Sequence, residues 1–137
     1  MYQSHIFISY ATRGCSKISA WHIRHCGVRV VSINEFKALD LRIGKIVEVE
    51  ELNDTRKPMY LLKVDLGELG VKTIVAGVRN YYAKEELLNS YIVVVANLEP
   101  KKVGAYLSEG MLLAAQEGEN VRLVRPDKAL APGSKVG

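Results

Sequence analysis

Residues 92–116, IVVVANLEPKKVGAYLSEGMLLAAQ, constrain this chain more than any other stretch. They hold two apolar runs, 92–96 and 112–115, separated by a polar, basic, glycine-containing segment. Neither run alternates with polar residues, so each reads as a strand packed on both faces or closed in a barrel. Asn97 ends the first strand and Glu99-Pro100 turn the chain. Lys101 and Lys102 then sit side by side on the connecting loop. A loop held between two buried strands is where a small barrel presents its binding groups.

The remaining segments supply the other strands of such a barrel. Asn34 is expected to cap a short helix over residues 35–38, with Phe36 turned to the core. Residues 39–52 read as one long strand, with Leu41, Ile43, Val47 and Val49 on one face and Arg42, Glu48 and Glu50 on the other. Gly44 inside it predicts a bulge or a sharp coil. Residues 53–58 form a polar loop, 60–66 a second strand, 67–70 a hairpin connection and 71–77 a third strand. Residues 84–88 carry helix formers. Residues 121–124 give one more short strand, followed by turns at Pro126-Asp127 and Pro132-Gly133. Three strands, a short helix and two strands predict an all-β fold: a five-stranded Greek-key OB-fold barrel with the helix between strands three and four.

The formal net charge is +4, and its distribution matters more than its size. Residues 1–32 contain Arg13, Lys17, Arg24 and Arg29 and no acid, whereas basic and acidic residues balance from Ile33 onward. The bulk charge of the barrel thus makes no case for nucleic acid, and local clustering must carry any such argument. The chain is expected to divide into a basic N-terminal extension, 1–32, and a domain, 33–137. The extension has the Ser/Arg-rich, acid-poor composition of a transit peptide. An over-extended gene start, with initiation near Val30 or Val31, and a native extension that packs on the domain are the other readings. His22, His25, Cys26 and Cys15 invite a metal reading, but no Cys-x-x-Cys pair is present and the spacing matches no standard zinc pattern. No apolar run approaches a membrane span.

The domain holds no His and no Cys, the commonest catalytic nucleophiles and bases, and no phosphate loop. Its candidate nucleic-acid contacts are Arg42, Arg56, Lys57, Lys63, Arg79, Lys101 and Lys102. An OB-fold binds on the face of strands two and three, flanked by the loops joining strands one to two and four to five. Arg56-Lys57 fall in the first loop and Lys101-Lys102 in the second. Exposed aromatics are few, which favours recognition of folded RNA over stacking along a single strand.

Several segments together, LDLRIGKIVEVE, KEELL, IVVVANLEP, SEGMLLAA and PGSKV, resemble the tRNA-binding domain found at the end of many methionyl-tRNA synthetases. The same domain occurs in small free-standing tRNA-binding proteins and in endothelial monocyte-activating polypeptide. The resemblance implies an OB-fold and a non-catalytic, cytoplasmic tRNA-binding role without cofactor or metal. It also implies a homodimer formed through the C-terminal tail, acting in trans as an accessory or beta subunit of a methionyl-tRNA synthetase. By the same resemblance Asn97, Lys101, Lys102, Ser108 and Met111 contribute to the tRNA site. The chain departs from many relatives in having Gly104-Ala105 where they carry Arg-Gly. The segment TRKPMYLLKVDLG is similar instead to the CsaA branch, which implies a peptide-binding export chaperone dimer as the alternative. Deletion of residues 1–29 is expected to leave thermal melting of the domain nearly unchanged. A fall of more than about 10 °C would show that the extension packs on it.

Overall fold

The computed structural model describes residues 29–137. Leu39–Gly137 forms one compact unit, and the first helix belongs to the unit before it. The expected domain boundary at residue 33 is neither supported nor opposed by that division. Cys15, His22, His25 and Cys26, the residues that invite a metal reading, lie outside the described residues.

Helix α1 (Ile33–Lys37) starts at Ser32 rather than Asn34. The Glu35 N–H donates to Ser32 Oγ at 3.1 Å and the Ser32 N–H to Glu35 Oε1 at 3.3 Å. This reciprocal capping box satisfies two donors, where an Asn34 cap would satisfy one. No residue of α1 is buried, and Phe36, expected to face a core, is exposed.

The barrel is built on β1 (Leu41–Leu52), which pairs with two neighbours in succession. Its first half runs antiparallel to β4 (Tyr91–Val95) and its second half to β2 (Met59–Asp65), with Lys45 paired to both Tyr91 and Asp65. The sheet order is β3-β2-β1-β4-β7, where β3 is Val71–Ala76 and β7 is Met111–Leu112. Gly44 lies beside the switch of partner. A Cβ there would collide with the Val64 side chain and stand 3.0 Å from Leu66 Cδ2, so the backbone itself fills this part of the core.

The bulge falls further on, between Ile46 and Glu48. It leaves Val47 as the extra residue and resets the alternation, so Val49 rather than Glu48 returns to the core face of Ile46, while Val47, expected inside, is 41% exposed. Leu41 and Ile43 are buried as well, on the opposite face from Gly44 and Ile46 by strand parity. The core proper gathers Ile46, Tyr60, Leu62, Val64, Leu66 and Ile74 with Ile92 and Val94 of β4. Val93 and Val95 on the other face of β4 are buried too, as the uninterrupted apolar run requires.

Helix α2 (Lys84–Leu87) sits between β3 and β4 and places Leu87 in the core. Asn89, at φ 66°, ends it in the left-handed region. Its N–H bonds the Ile46 carbonyl at 2.8 Å, and the Ile46 N–H bonds the Ser90 carbonyl at 2.9 Å.

The expected fifth strand is divided. Met111 and Leu112 pair with Val95 and Val94, after which β8 (Ala114–Glu117) forms a hairpin with β9 (Asn120–Leu123). The expected loop between the apolar runs contains another hairpin, β5 (Lys101–Val103) with β6 (Tyr106–Ser108). Both hairpins turn through two residues whose first is a glycine with positive φ, Gly104 at 60° and Gly118 at 57°. That is the requirement of a type II′ turn.

The tail returns to β1 as β10 (Lys135–Val136), paired with Arg42 and Leu41 on the edge that β2 vacates. Covering an edge in this way removes unpaired backbone groups. The Gly133 N–H bonds the Ile43 carbonyl at 2.7 Å and the Ile43 N–H bonds the Ser134 carbonyl at 2.8 Å.

Closure between β3 and the last strand relies on side chains. The Val75 N–H donates to Ser108 Oγ at 3.1 Å, and the Thr73 N–H to Glu109 Oε1 at 3.3 Å. The Glu109 N–H donates to the Thr73 carbonyl at 2.7 Å. Ser108 is 4% exposed, and its hydroxyl donates onward to the Gly110 carbonyl at 3.2 Å. Ser108→Ala leaves the Val75 N–H without a partner in a buried setting, an expected cost of about 1–3 kcal/mol. Urea unfolding checks this: the midpoint should fall with the slope unchanged.

Candidate nucleic-acid interface

The loop joining β1 to β2 and the β5–β6 hairpin lie next to each other. A Cβ placed on Gly104, at the hairpin turn, would be 3.8 Å from Thr55 Cγ2 in that loop. The segments carrying Arg56-Lys57 and Lys101-Lys102 are therefore neighbours on one edge of the barrel. Thr55 Oγ1 donates to the Lys57 carbonyl at 2.6 Å and braces the loop. Arg56, Lys57, Lys101 and Lys102 are all exposed. Asp54 and Glu99, also exposed, flank the two cation pairs, so the patch is locally basic rather than uniformly so.

Lys101 and Lys102 do not sit side by side on an irregular loop. They are successive residues of β5, Lys101 opposite Ser108 and Lys102 opposite Leu107. Successive side chains of a strand point to opposite faces. Lys102 thus shares its hairpin face with exposed Leu107. Lys101 shares the other with Val103, Tyr106 and buried Ser108.

The other candidate cations are engaged within the fold. Arg42 Nε donates to Asp40 Oδ1 at 2.6 Å and Arg42 Nη1 to the Gly133 carbonyl at 3.0 Å, latching the tail to β1. Arg79 joins three groups at the end of β1 and the start of the loop after it: the Leu52 carbonyl, Asn53 Oδ1 and Glu51 Oε2, each at 3.1 Å. Lys63 pairs across the ladder with Glu48 at 3.5 Å. This pair is half-exposed and contributes about 0–1 kcal/mol. Asn97 is exposed, and its Oδ1 accepts the Asp40 N–H at 2.9 Å, tying the end of β4 to the start of β1. Met111 is half-buried in β7, in register with Val95.

The tyrosines divide in the same way. Tyr60 is buried and its hydroxyl donates to the Tyr82 carbonyl at 2.8 Å. Burial, with Glu51 next in importance, raises its pKa above the ordinary phenol value, so it stays a neutral donor. The Tyr82 hydroxyl accepts the Leu123 N–H at 2.9 Å, and Arg125 lies 5.5 Å from the centre of its ring. Tyr81 and Tyr106 remain accessible.

Sequence reasoning missed the cleft behind the first loop. It is open, about 540 Å³ in volume, and lined by Leu52, Asn53, Thr55, Arg56, Pro58, Arg79 and Asn80. Asn80 joins it from a segment 27 residues beyond Asn53 in sequence, a proximity that only the fold creates. Among the described residues no group of His, Cys, Asp and Glu is arranged to hold a metal ion, and no helix is long and apolar enough to cross a membrane.

Comparison with known proteins places this geometry in a family. The chain is 54% identical over 106 residues to the methionine–tRNA ligase of Pyrococcus horikoshii, covering 77% of this chain and 14% of that enzyme. The chain thus corresponds to about one-seventh of the length of that relative. Among solved structures, the chaperone CsaA of Bacillus anthracis matches with a TM-score of 0.75 and 35% identity, over 80% of this chain and all of CsaA. A methionyl-tRNA-synthetase-related protein of Pyrococcus horikoshii matches with a TM-score of 0.73 and 29% identity, over 80% of this chain and all of that one. The family described as "Putative tRNA binding domain" matches residues 41–135, nearly the whole barrel, and the chain belongs to that family.

Proposed function

We propose that this protein binds structured tRNA without catalysing a reaction on it. It would act in the cytoplasm as an accessory, in trans, to a methionyl-tRNA synthetase, and would pair as a homodimer through its tail. The observation that carries the reading is the proximity of the β1–β2 loop to the β5–β6 hairpin turn, which brings two exposed cation pairs to one edge of an OB-fold. Such an edge can hold two stretches of phosphate backbone. The absence of His and Cys from residues 33–137 is in keeping with binding alone.

Among the expected tRNA residues, Lys101, Lys102, Arg56 and Lys57 are the phosphate contacts in this reading. Ser108 and Asn97 act indirectly, by fixing the hairpin and the end of β4. Met111 supplies apolar contact at the barrel end. Arg42, Arg79 and Lys63 contribute mainly through the architecture that they hold.

Lys101→Ala with Lys102→Ala should weaken tRNA binding and reduce the salt slope of log affinity by up to about 0.9 per lost phosphate contact. Because the two side chains stand on opposite hairpin faces, the single substitutions should differ in size. Met111→Ala should weaken binding with the slope nearly unchanged. Parent affinity and slope in the double variant would remove the site from this hairpin.

The peptide-binding chaperone is the second reading, favoured by the full-length match to CsaA. Binding of an unfolded peptide, insensitive to salt and undisturbed by competing tRNA, would select it. The dimer rests on exposed Leu107 and Leu130, the latter in the tail and 51% exposed. Leu130→Glu should convert dimer to monomer by light scattering. An undiminished dimer would place the interface elsewhere.

A further inference from the structure

We infer that the cleft between the β1–β2 loop and the segment after β3 receives a single unpaired nucleotide of the bound RNA. Asn53 and Asn80 would read its base edge, and Arg56 would hold its phosphate. The inference rests on the tRNA-binding reading and deepens it, since it names the part of the RNA that this edge of the barrel takes.

Size comes first. At about 540 Å³ the cleft falls within the roughly 300–1,000 Å³ of small-ligand sites, room enough for a base with its sugar. Its lining matches the chemistry of a nucleotide. Pro58, exposed at the rim, supplies apolar surface for the face of a ring. Thr55 ties the cleft wall to the hairpin turn at Gly104, so an RNA lying across the lysines also passes the cleft.

The polar groups are pre-arranged. Arg79 Nη1 donates to Asn53 Oδ1, which leaves the Asn53 amide nitrogen as the group that can donate to a ligand. The Arg79 guanidinium is itself fixed by its bonds to Leu52 and Glu51. A guanidinium held in place offers a stacking plane for a base at little further loss of rotamer freedom. The Asn80 side chain is exposed and makes no hydrogen bond among the described residues, so both its donor and its acceptor are open to a base edge. An amide that offers a donor and an acceptor together can pair bidentately with a base. Arg56 has no carboxylate partner among the described residues and stands beside Lys57 at the exposed rim. Sequence-discriminating contacts to RNA generally fall on unstacked bases of loops, bulges and ends, the type of nucleotide that an open cleft of this size admits.

Titration of the full chain with AMP, GMP, CMP and UMP, followed by amide NMR, tests the cleft without tRNA. Saturable shifts confined to Asn53, Thr55, Arg56, Arg79 and Asn80, differing among the four bases, are expected. Inorganic phosphate run in parallel should not reproduce them. Asn80→Ala, which removes no bond of the fold, should abolish the base dependence and weaken tRNA binding by roughly five- to tenfold. Its salt slope should remain that of the parent, because no counterion is released by an amide. Equal shifts with phosphate alone would reduce the cleft to an anion contact and overturn the inference. Parent affinity for tRNA in Asn80→Ala would also overturn it while leaving tRNA binding itself intact. If the parent chain binds no tRNA, the function proposed above fails, and the mononucleotide titration still decides whether the cleft takes a base.

Discussion

The hydrogen bond from the Val75 N–H to the Ser108 hydroxyl holds the rest of the structure in register. In the sheet order β3 is an edge, and the N–H groups of Val75 and Thr73 point away from β2. Left unpaired, a buried N–H costs about as much as a lost hydrogen bond. Ser108 and Glu109 meet both donors. Ser108 ends β6 and Glu109 follows it, so the contact that closes the barrel also sets the position of the lysine-bearing arm. Architecture and candidate binding surface are one unit here. The element from Ser108 to Met111 acts at both its ends: Ser108 closes β3, and Met111 begins the pairing with β4.

The second constraint is the change of partners along β1. Gly44 lets the strand pass so close to Val64 and Leu66 that no side chain fits between. The strand then leaves β4 for β2, and the edge vacated by β2 is filled by the tail. Arg42 secures that arrangement from beneath, bonded to Asp40 and to Gly133. The C-terminal residues are consequently part of the fold of a single chain. Any pairing of two chains through the tail must use the surface that this packing leaves open, around Leu130.

Long apolar runs were legible in the sequence because burial on both faces leaves no other composition possible. The OB-fold, its strand order and the helix between β3 and β4 follow from them. Side-chain parity in β1 was not legible beyond Ile46. Gly44 signals an irregularity in this strand but not its place, and the extra residue falls at Val47, which is left exposed. The two small hairpins escaped because strands of two to four residues show too little alternation to read. The Gly-x pair in KKV-GA-YLS and in AAQE-GE-NVRL was the available signal, since a two-residue turn needs positive φ at its first position. Gly104-Ala105, where many relatives carry Arg-Gly, is thus the turn that shapes the basic arm.

Sorting the cations lay beyond the sequence for a different reason. Arg42 and Arg79 look as available as Arg56 until their partners are known, and those partners lie 91 and 27 residues away. The arginines with planar, multi-donor heads hold backbone carbonyls and carboxylates, where several fixed bonds are needed. Lys101 and Lys102 stand on the exposed hairpin, where a single point charge would suffice for a phosphate. This division separates two tasks in space. In the proposed reading, charge on the hairpin would set how tightly and how salt-dependently an RNA is held, without regard to its sequence. Discrimination among RNAs needs donors and acceptors fixed in orientation, and on this edge of the barrel the Arg79 clamp supplies that fixity to the cleft beside Asn53. In that reading Arg79 would act on RNA preference through the Asn53 amide that it holds.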